Sequence, residues 1–158
     1  MTTILFPTRG GEASYANQDR VIGLAREEEA RLIFMYVSDV RFISMTALPV
    51  LVDIEEELEE MGEFLMAMAQ ERAAKQGVEA EIMVRRGVFR QALKDVIREQ
   101  QVDVVVLGSS SETTGVTTKS YRRELIVELV EETGVEVLVL NNGEVADRYD
   151  PGNIRQDH

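Results

Sequence analysis

The chain has 158 residues, enough for one domain with its own hydrophobic core. It contains no cysteine, which excludes disulfides, thiolate zinc sites and cysteine nucleophiles. Its 29 acidic residues outnumber its 17 basic ones, for a formal net charge of −12, which disfavours a nonspecific role on nucleic acid or on an anionic membrane. No signal-peptide pattern opens the chain, and no apolar run approaches the ~20 residues needed to cross a bilayer. We therefore expect a soluble, cytoplasmic protein.

Short apolar runs alternate with helical patterns between residues 3 and 140. Four helical segments separate five runs typical of buried strands, at residues 4–6, 31–37, 81–85, 102–107 and 135–140. Ser14 is the expected cap of the first helix, and Gly134 is the expected end of the last. Such alternation implies right-handed crossovers between parallel strands. The prediction is one α/β domain over residues 1–140, a three-layer sandwich with helices on both faces of a five-stranded parallel sheet.

The longest helix is predicted to begin at Asp53, after an irregular connection broken by Pro49. Apolar residues recur along it at steps of four and three, which predicts one stripe facing the sheet: Ile54, Leu58, Met61, Leu65 and Met68. Its acidic residues between 53 and 63 predict a solvated helix face. Residues 141–158 have little apolar content and are predicted to form a polar C-terminal tail.

Two turns have residues suited to a ligand site beyond the carboxyl ends of parallel strands. One spans residues 8–11, and the other is the loop at residues 108–120, which is rich in hydroxyl side chains. Backbone amides of such a loop and the start of the next helix form a natural cradle for an anion. Alternatively, the hydroxyl groups bond only to nearby backbone, as is common in loops. Neither GxxxxGK[ST] nor GxGxxG is present.

The segments ILFPTRGGEAS, LIFMYVSDV and VVVLGSS, followed by a helix and VEVLVL, resemble the universal stress protein family across residues 3–140. The resemblance implies strand order 3-2-1-4-5 and a homodimer joined through the last strand, Val135 to Leu140, which would otherwise be a bare edge. Some members bind ATP or AMP, and others do not. The candidate anion or nucleotide site then comprises Thr8, Arg9, Val37, Gly108, Ser109, Ser111 and Gly115.

The ATP-binding branch of the family has the loop G-x2-G-x9-G-[ST], whose glycines let backbone amides approach the phosphates. Gly108 supplies the first glycine here, but the second falls on Ser111. The third falls on Tyr121, or on Arg123 if the loop is two residues longer, and Gly115 occupies neither place. We therefore expect no ordinary ATP site.

Basic residues surround the same predicted edge. The resemblance implies an acidic residue near the nucleotide sugar after the first strand, where this chain has Arg9. Arg122 and Arg123 open the last helix, where positive charge is unfavourable against the helix dipole. An exposed arginine is often only solvated, but together these residues suggest a bound anion or an acidic partner.

The sequence contains no recognisable catalytic constellation. The one histidine is His158, the last residue, which removes Ser-His-Asp arrangements and histidine metal sites. Glu112 is the only acidic residue well placed in the loop. We expect a stress-response binding or regulatory module with no turnover, metal or cofactor. The alternative is an AMP- or ATP-binding member with a rebuilt Ser/Thr-rich phosphate loop; a slow nucleotide hydrolase ranks last.

Overall fold

Strands and helices alternate along the chain, as the sequence predicts. The structure, a computed structural model, describes residues 1–38, 48–108 and 119–154, with only the backbone for residues 48–55, 119 and 120. In chain order its strands and α-helices are β1 (Thr3–Pro7), α1 (Tyr15–Glu28), β2 (Arg31–Ser38), α2 (Leu48–Lys75), β3 (Ala80–Arg86), α3 (Phe89–Gln100), β4 (Val104–Gly108), α4 (Lys119–Thr133), β5 (Glu136–Asn141) and β6 (Glu144–Tyr149). Gly134 follows α4 with φ of 74°, which confirms the predicted helix end.

The strands form one sheet in the order β3-β2-β1-β4-β5-β6. The pairs among β1 to β5 are parallel, so the predicted order 3-2-1-4-5 is confirmed for these strands. β6 pairs antiparallel with β5, so the predicted count of five strands was wrong. The β5 edge that the sequence analysis left bare is therefore covered by the chain itself.

A two-residue turn explains the sixth strand. Asn142 and Gly143 have φ of 55° and 87°, as required in the tight hairpin turns that favour Asn-Gly. The Gly143 N–H donates a hydrogen bond of 2.7 Å to Asn17 Oδ1 on α1, which ties the turn to the domain. The predicted tail thus contains β6 and, beyond it, the buried Ile154.

Two hydrophobic cores lie on opposite faces of the sheet. Side chains of α1 and α2 pack on one face with those of alternate strand residues such as Phe6, Phe34 and Leu138. Side chains of α3 and α4 pack on the other face with Leu5 and Ile33. Among the described residues, no helix is both long enough and apolar enough to span a membrane.

α2 differs from its prediction in its start and in the face that it buries. It begins at Leu48, with Pro49 in the first turn, where the missing N–H of proline does no harm. The row buried on the sheet consists mostly of small residues: Gly62, Met66, Ala69 and Ala73. Met61 and Met68, predicted to face the sheet, are 48% and 38% exposed.

Close approach of α2 to the sheet accounts for that rotation. A Cβ atom on Gly62 would lie 2.5 Å from Cδ1 of Tyr36 on β2, closer than real contacts allow. Gly62 therefore lets the helix backbone lie directly on the tyrosine ring. Larger apolar residues on the neighbouring helix row are turned away from the sheet.

Candidate functional site

Four of the predicted site residues lie together at the carboxyl edge of the sheet. Continuing the β1–β4 register beyond the strands places Thr8 opposite Gly108. The β1–β2 register, continued likewise, places Arg9 opposite Val37. β1 lies between β2 and β4, where the strand order reverses, and open parallel sheets bind ligands at such points.

Hydrogen bonds and packing hold the turn after β1 in place. Thr8 is buried; its N–H donates to the Met35 carbonyl at 2.9 Å, and its Oγ1 accepts from the Gly10 N–H at 3.1 Å. Gly10 has φ of 75°, and a Cβ there would lie 2.8 Å from Cβ of Leu65 on α2. Both observations require glycine at this position. Arg9, between the two anchored residues, is exposed at the edge.

Two arginines at this edge have no carboxylate partner within the described part of the chain. Arg9 and Arg122 belong to none of the ion pairs formed among the described residues, whereas Arg31, Arg85 and Arg86 each bind a glutamate. The first turn of α4 contains no acidic residue. A helix N-terminus already favours negative charge, so the described part of this edge is electropositive.

Buried polar groups near the same turns escaped the sequence analysis. Ser38, at the end of β2, is 2% exposed, and its Oγ has no hydrogen-bond partner within the described part of the chain. Ser14, the predicted helix cap, instead donates to the Gly11 carbonyl at 2.7 Å and accepts from Nε2 of the fully buried Gln18 at 2.7 Å. The Gln18 Oε1 likewise has no hydrogen-bond partner in the described ranges. A serine directly after an apolar strand was the available signal for Ser38.

The remaining predicted site residues lie outside the described residues. They are Ser109, Ser111 and Gly115; Glu112 and His158, which were not predicted to bind a ligand, also lie outside the described residues. The hydroxyl-rich loop therefore contributes to the described site only through its two ends, Gly108 and the start of α4.

The described groups are suited to binding an anion. Thr8, Arg9, Val37 and Gly108 provide one guanidinium and one hydroxyl group, but no carboxylate or imidazole that could act as a general base. Across the described ranges, no group of three His, Cys, Asp or Glu residues is arranged to hold a metal ion.

Comparison with protein families matches residues 1–117 to the universal stress protein family. No curated protein matches the sequence. The universal stress protein UspA of Lactobacillus plantarum is similar in structure, with a TM-score of 0.68 and 20% identity over 88% of this chain and 97% of that one. A universal stress protein in complex with cAMP has a TM-score of 0.59 and 19% identity over 89% and 97% of the two chains. An Arabidopsis thaliana family protein with AMP bound has a TM-score of 0.55 and 13% identity over 89% and 92%.

Proposed function

Because the chain belongs to the universal stress protein family, we propose that it is a stress-response binding and regulatory module without turnover. Its ligand site is the carboxyl edge formed by Thr8, Arg9, Val37 and Gly108. The observation that carries the proposal is the exposed Arg9, held on an anchored turn at the strand-order reversal without an ion-pair partner among the described residues. The ligand is a small anion or an anionic group of a partner.

The same edge argues against an ordinary ATP site. The glycines that would follow Gly108 in the family's ATP loop are replaced, and Arg9 stands where an acidic residue would contact the ribose. An arginine there attracts phosphate, but it has no acceptor for a hydrogen bond from a sugar hydroxyl group.

A second candidate is binding of an adenosine monophosphate through the rebuilt loop. It is favoured by the two similar structures, one in complex with cAMP and one with AMP bound. One phosphate needs fewer backbone amides than a triphosphate does, so loss of the later glycines is less damaging. Ser38, whose buried hydroxyl has no hydrogen-bond partner among the residues described, is a candidate to contact the rest of such a ligand.

Substitution Arg9→Glu tests the main proposal. We expect inorganic phosphate, AMP or cAMP to raise the melting temperature of the parent, because a ligand that binds only the folded state stabilises it. Arg9→Glu should weaken that binding about tenfold or more, since it replaces a charge-assisted contact by repulsion. The matched control is Arg98→Glu, the same charge change on an exposed arginine in the last turn of α3. Equal binding by the parent and Arg9→Glu would remove Arg9 from the site.

Analysis of small molecules released on denaturing the purified protein separates the candidates. Co-purified AMP or cAMP would favour the second. Phosphate release from added ATP over time would contradict the absence of turnover. No released nucleotide, with a melting temperature raised by phosphate alone, would support the main proposal.

Self-association is a separate part of the proposal. The homodimer expected from the sequence pairs two copies through β5, but β5 already lies between β4 and β6. We propose that a dimer through β5 forms only when β6 leaves that edge.

A further inference from the structure

A row of large apolar side chains on α2 faces solvent instead of packing in the core. Met61, Phe64 and Met68 are 48%, 65% and 38% exposed. Among the large apolar residues described, only Met1 is more exposed than Phe64 and Met61. Their spacing of three and four places them on one helix face over about 10 Å. We call these three side chains the α2 ridge. Phe64 at its centre is more solvent-exposed than any other described aromatic residue.

The ridge leads to a depression at the contact between α1 and α2. The depression has a volume of about 200 Å³ and is lined by Tyr15, Met68, Glu71, Arg72 and Lys75. Its wall is held by the Arg72 guanidinium, which lies 4.3 Å from the centre of the Tyr15 ring and 2.8 Å from Asp19. A shallow, braced depression next to an apolar row can accept one side chain of a partner.

The charge around the ridge determines what can cover it. Glu56, Glu57, Glu60, Glu63 and Glu71 are all exposed on α2, and Lys75 is the only exposed basic side chain among the residues described on that helix. A second copy of this chain would bring the same acidic surface and a further net charge of −12. An anionic membrane would be repelled for the same reason.

From these observations we propose that the α2 ridge is a docking site for a cationic amphipathic helix of another protein. Apolar residues of that helix at i, i+3 or i+4, and i+7 match the spacing of Met61, Phe64 and Met68. One of them enters the depression beside Met68, and lysines or arginines on its flanks face the glutamates. Methionine suits such a surface because its flexible thioether adapts to different partners. This surface shares no residue with the carboxyl-edge ligand site.

The test uses a fluorescently labelled 14-residue peptide of leucine and lysine with helical amphipathic spacing. A scrambled peptide of the same composition keeps the charge and loses the apolar face. We expect the amphipathic peptide to bind the full chain at micromolar concentration, at least tenfold more tightly than the scrambled one. Equal binding of the two peptides would mean simple attraction to an acidic protein and would overturn the proposal.

Two matched variants locate the binding. Phe64→Ser should weaken binding of the amphipathic peptide at least tenfold. Val145→Ser, which removes another exposed apolar side chain (38% exposed) on β6, should change that binding less than twofold. Phe64 is mostly exposed, so circular dichroism should show an unchanged fold. Unaltered binding by Phe64→Ser would overturn the proposal, and so would self-association of the parent that Phe64→Ser abolishes, since the occupant would then be a second copy.

Discussion

Replacing either of two helical glycines by alanine should change the stability of the domain in opposite directions. Gly62 lies on the Tyr36 ring, where a Cβ would be 2.5 Å from Cδ1, whereas Gly23 in α1 has no atom within 4 Å of that position. We expect Gly62→Ala to destabilise the protein by about 1–3 kcal/mol through overpacking. Gly23→Ala should stabilise it by about 0.5–1 kcal/mol, because alanine favours the helix. Urea denaturation of both variants measures this, and a stabilised Gly62→Ala would mean that α2 lies farther from the sheet.

A lysine between two helices makes stability depend on pH. Lys94 Nζ on α3 lies 2.6 Å from Glu128 Oε1 and 2.9 Å from Glu132 Oε2 on α4. The hydrogen bond from Lys94 holds the pKa of the Glu128 carboxyl below its usual range, and the bonds to both glutamates raise the pKa of Lys94. A lowered carboxyl pKa contributes stability that is present above the unfolded value and lost as pH falls through the folded one.

Lys94→Met should therefore be less stable than the parent at pH 7, because two glutamates lose their common cation. The difference should narrow as pH falls below the usual glutamate range and through the lowered pKa of Glu128, where the parent loses this contribution. Urea midpoints at pH 7, 5 and 3.5 provide the comparison. The control is Lys75→Met. The ion pair of Lys75 with Glu71 is exposed, so its loss should change the free energy of unfolding by less than about 0.5 kcal/mol. A pH-independent difference between Lys94→Met and the parent would refute the carboxyl contribution.

At the scale of elements, apolar periodicity predicted the buried strands, but it did not predict that α2 packs on the sheet through a row of mostly small residues. Four of the five parallel strands, β1, β2, β4 and β5, are buried on both faces, so their continuous apolar runs were recognisable. In α2 the sequence predicted that the row with the larger side chains faces the sheet, whereas the structure buries the row that contains Gly62 and Ala69. β6 has no apolar alternation because nearly all its side chains are exposed; the dipeptide Asn142-Gly143 was the available signal.

The β5–β6 hairpin should open before the rest of the sheet. β6 contributes little to the core, and its turn depends on the positive φ of Gly143 and on the Asn17 bond. A side chain at Gly143 would also approach the Ala16 carbonyl oxygen to 3.1 Å. We expect Gly143→Val to increase hydrogen exchange of the amides in β6 by about tenfold or more, with those of β1 and β4 unchanged. Equal acceleration in β4 would show that the hairpin opens only with global unfolding.

At the scale of the whole molecule, the sequence predicted which residues meet at the carboxyl edge of the sheet, but not the packing of polar side chains around them. Parallel topology alone brings the ends of β1, β2 and β4 to one edge, so the meeting of the candidate residues Thr8, Arg9 and Val37 followed from the order of elements. The burial of the Ser38 hydroxyl and the bond between Ser14 and Gln18 depend on side-chain packing between elements. Such packing has no periodic trace in a single sequence.

The state of the β5 edge should decide whether the molecule self-associates. β6 is a poor edge for pairing with a second chain. Its register with β5 shifts between the β5 residues Val139 and Leu140, and its own side chains include Glu144, Asp147 and Arg148. Bulges and charges of this kind protect natural sheet edges from pairing. β5, by contrast, is apolar and buried along Val137 to Leu140. Removing β6 therefore exchanges a protected edge for a pairing-competent one.

We expect a chain that ends at Asn141 to dimerise at micromolar concentration, at least tenfold more tightly than the parent, in sedimentation velocity. The truncation also removes the buried Ile154, so circular dichroism must first show that the shortened chain is folded. Full-length Gly143→Val keeps every core residue and only weakens the turn. It should therefore dimerise more tightly than the parent, but by a smaller factor than the truncated chain. A folded but monomeric truncated chain would contradict β5 pairing. A parent that dimerises as tightly as the truncated chain would place the contact on another surface.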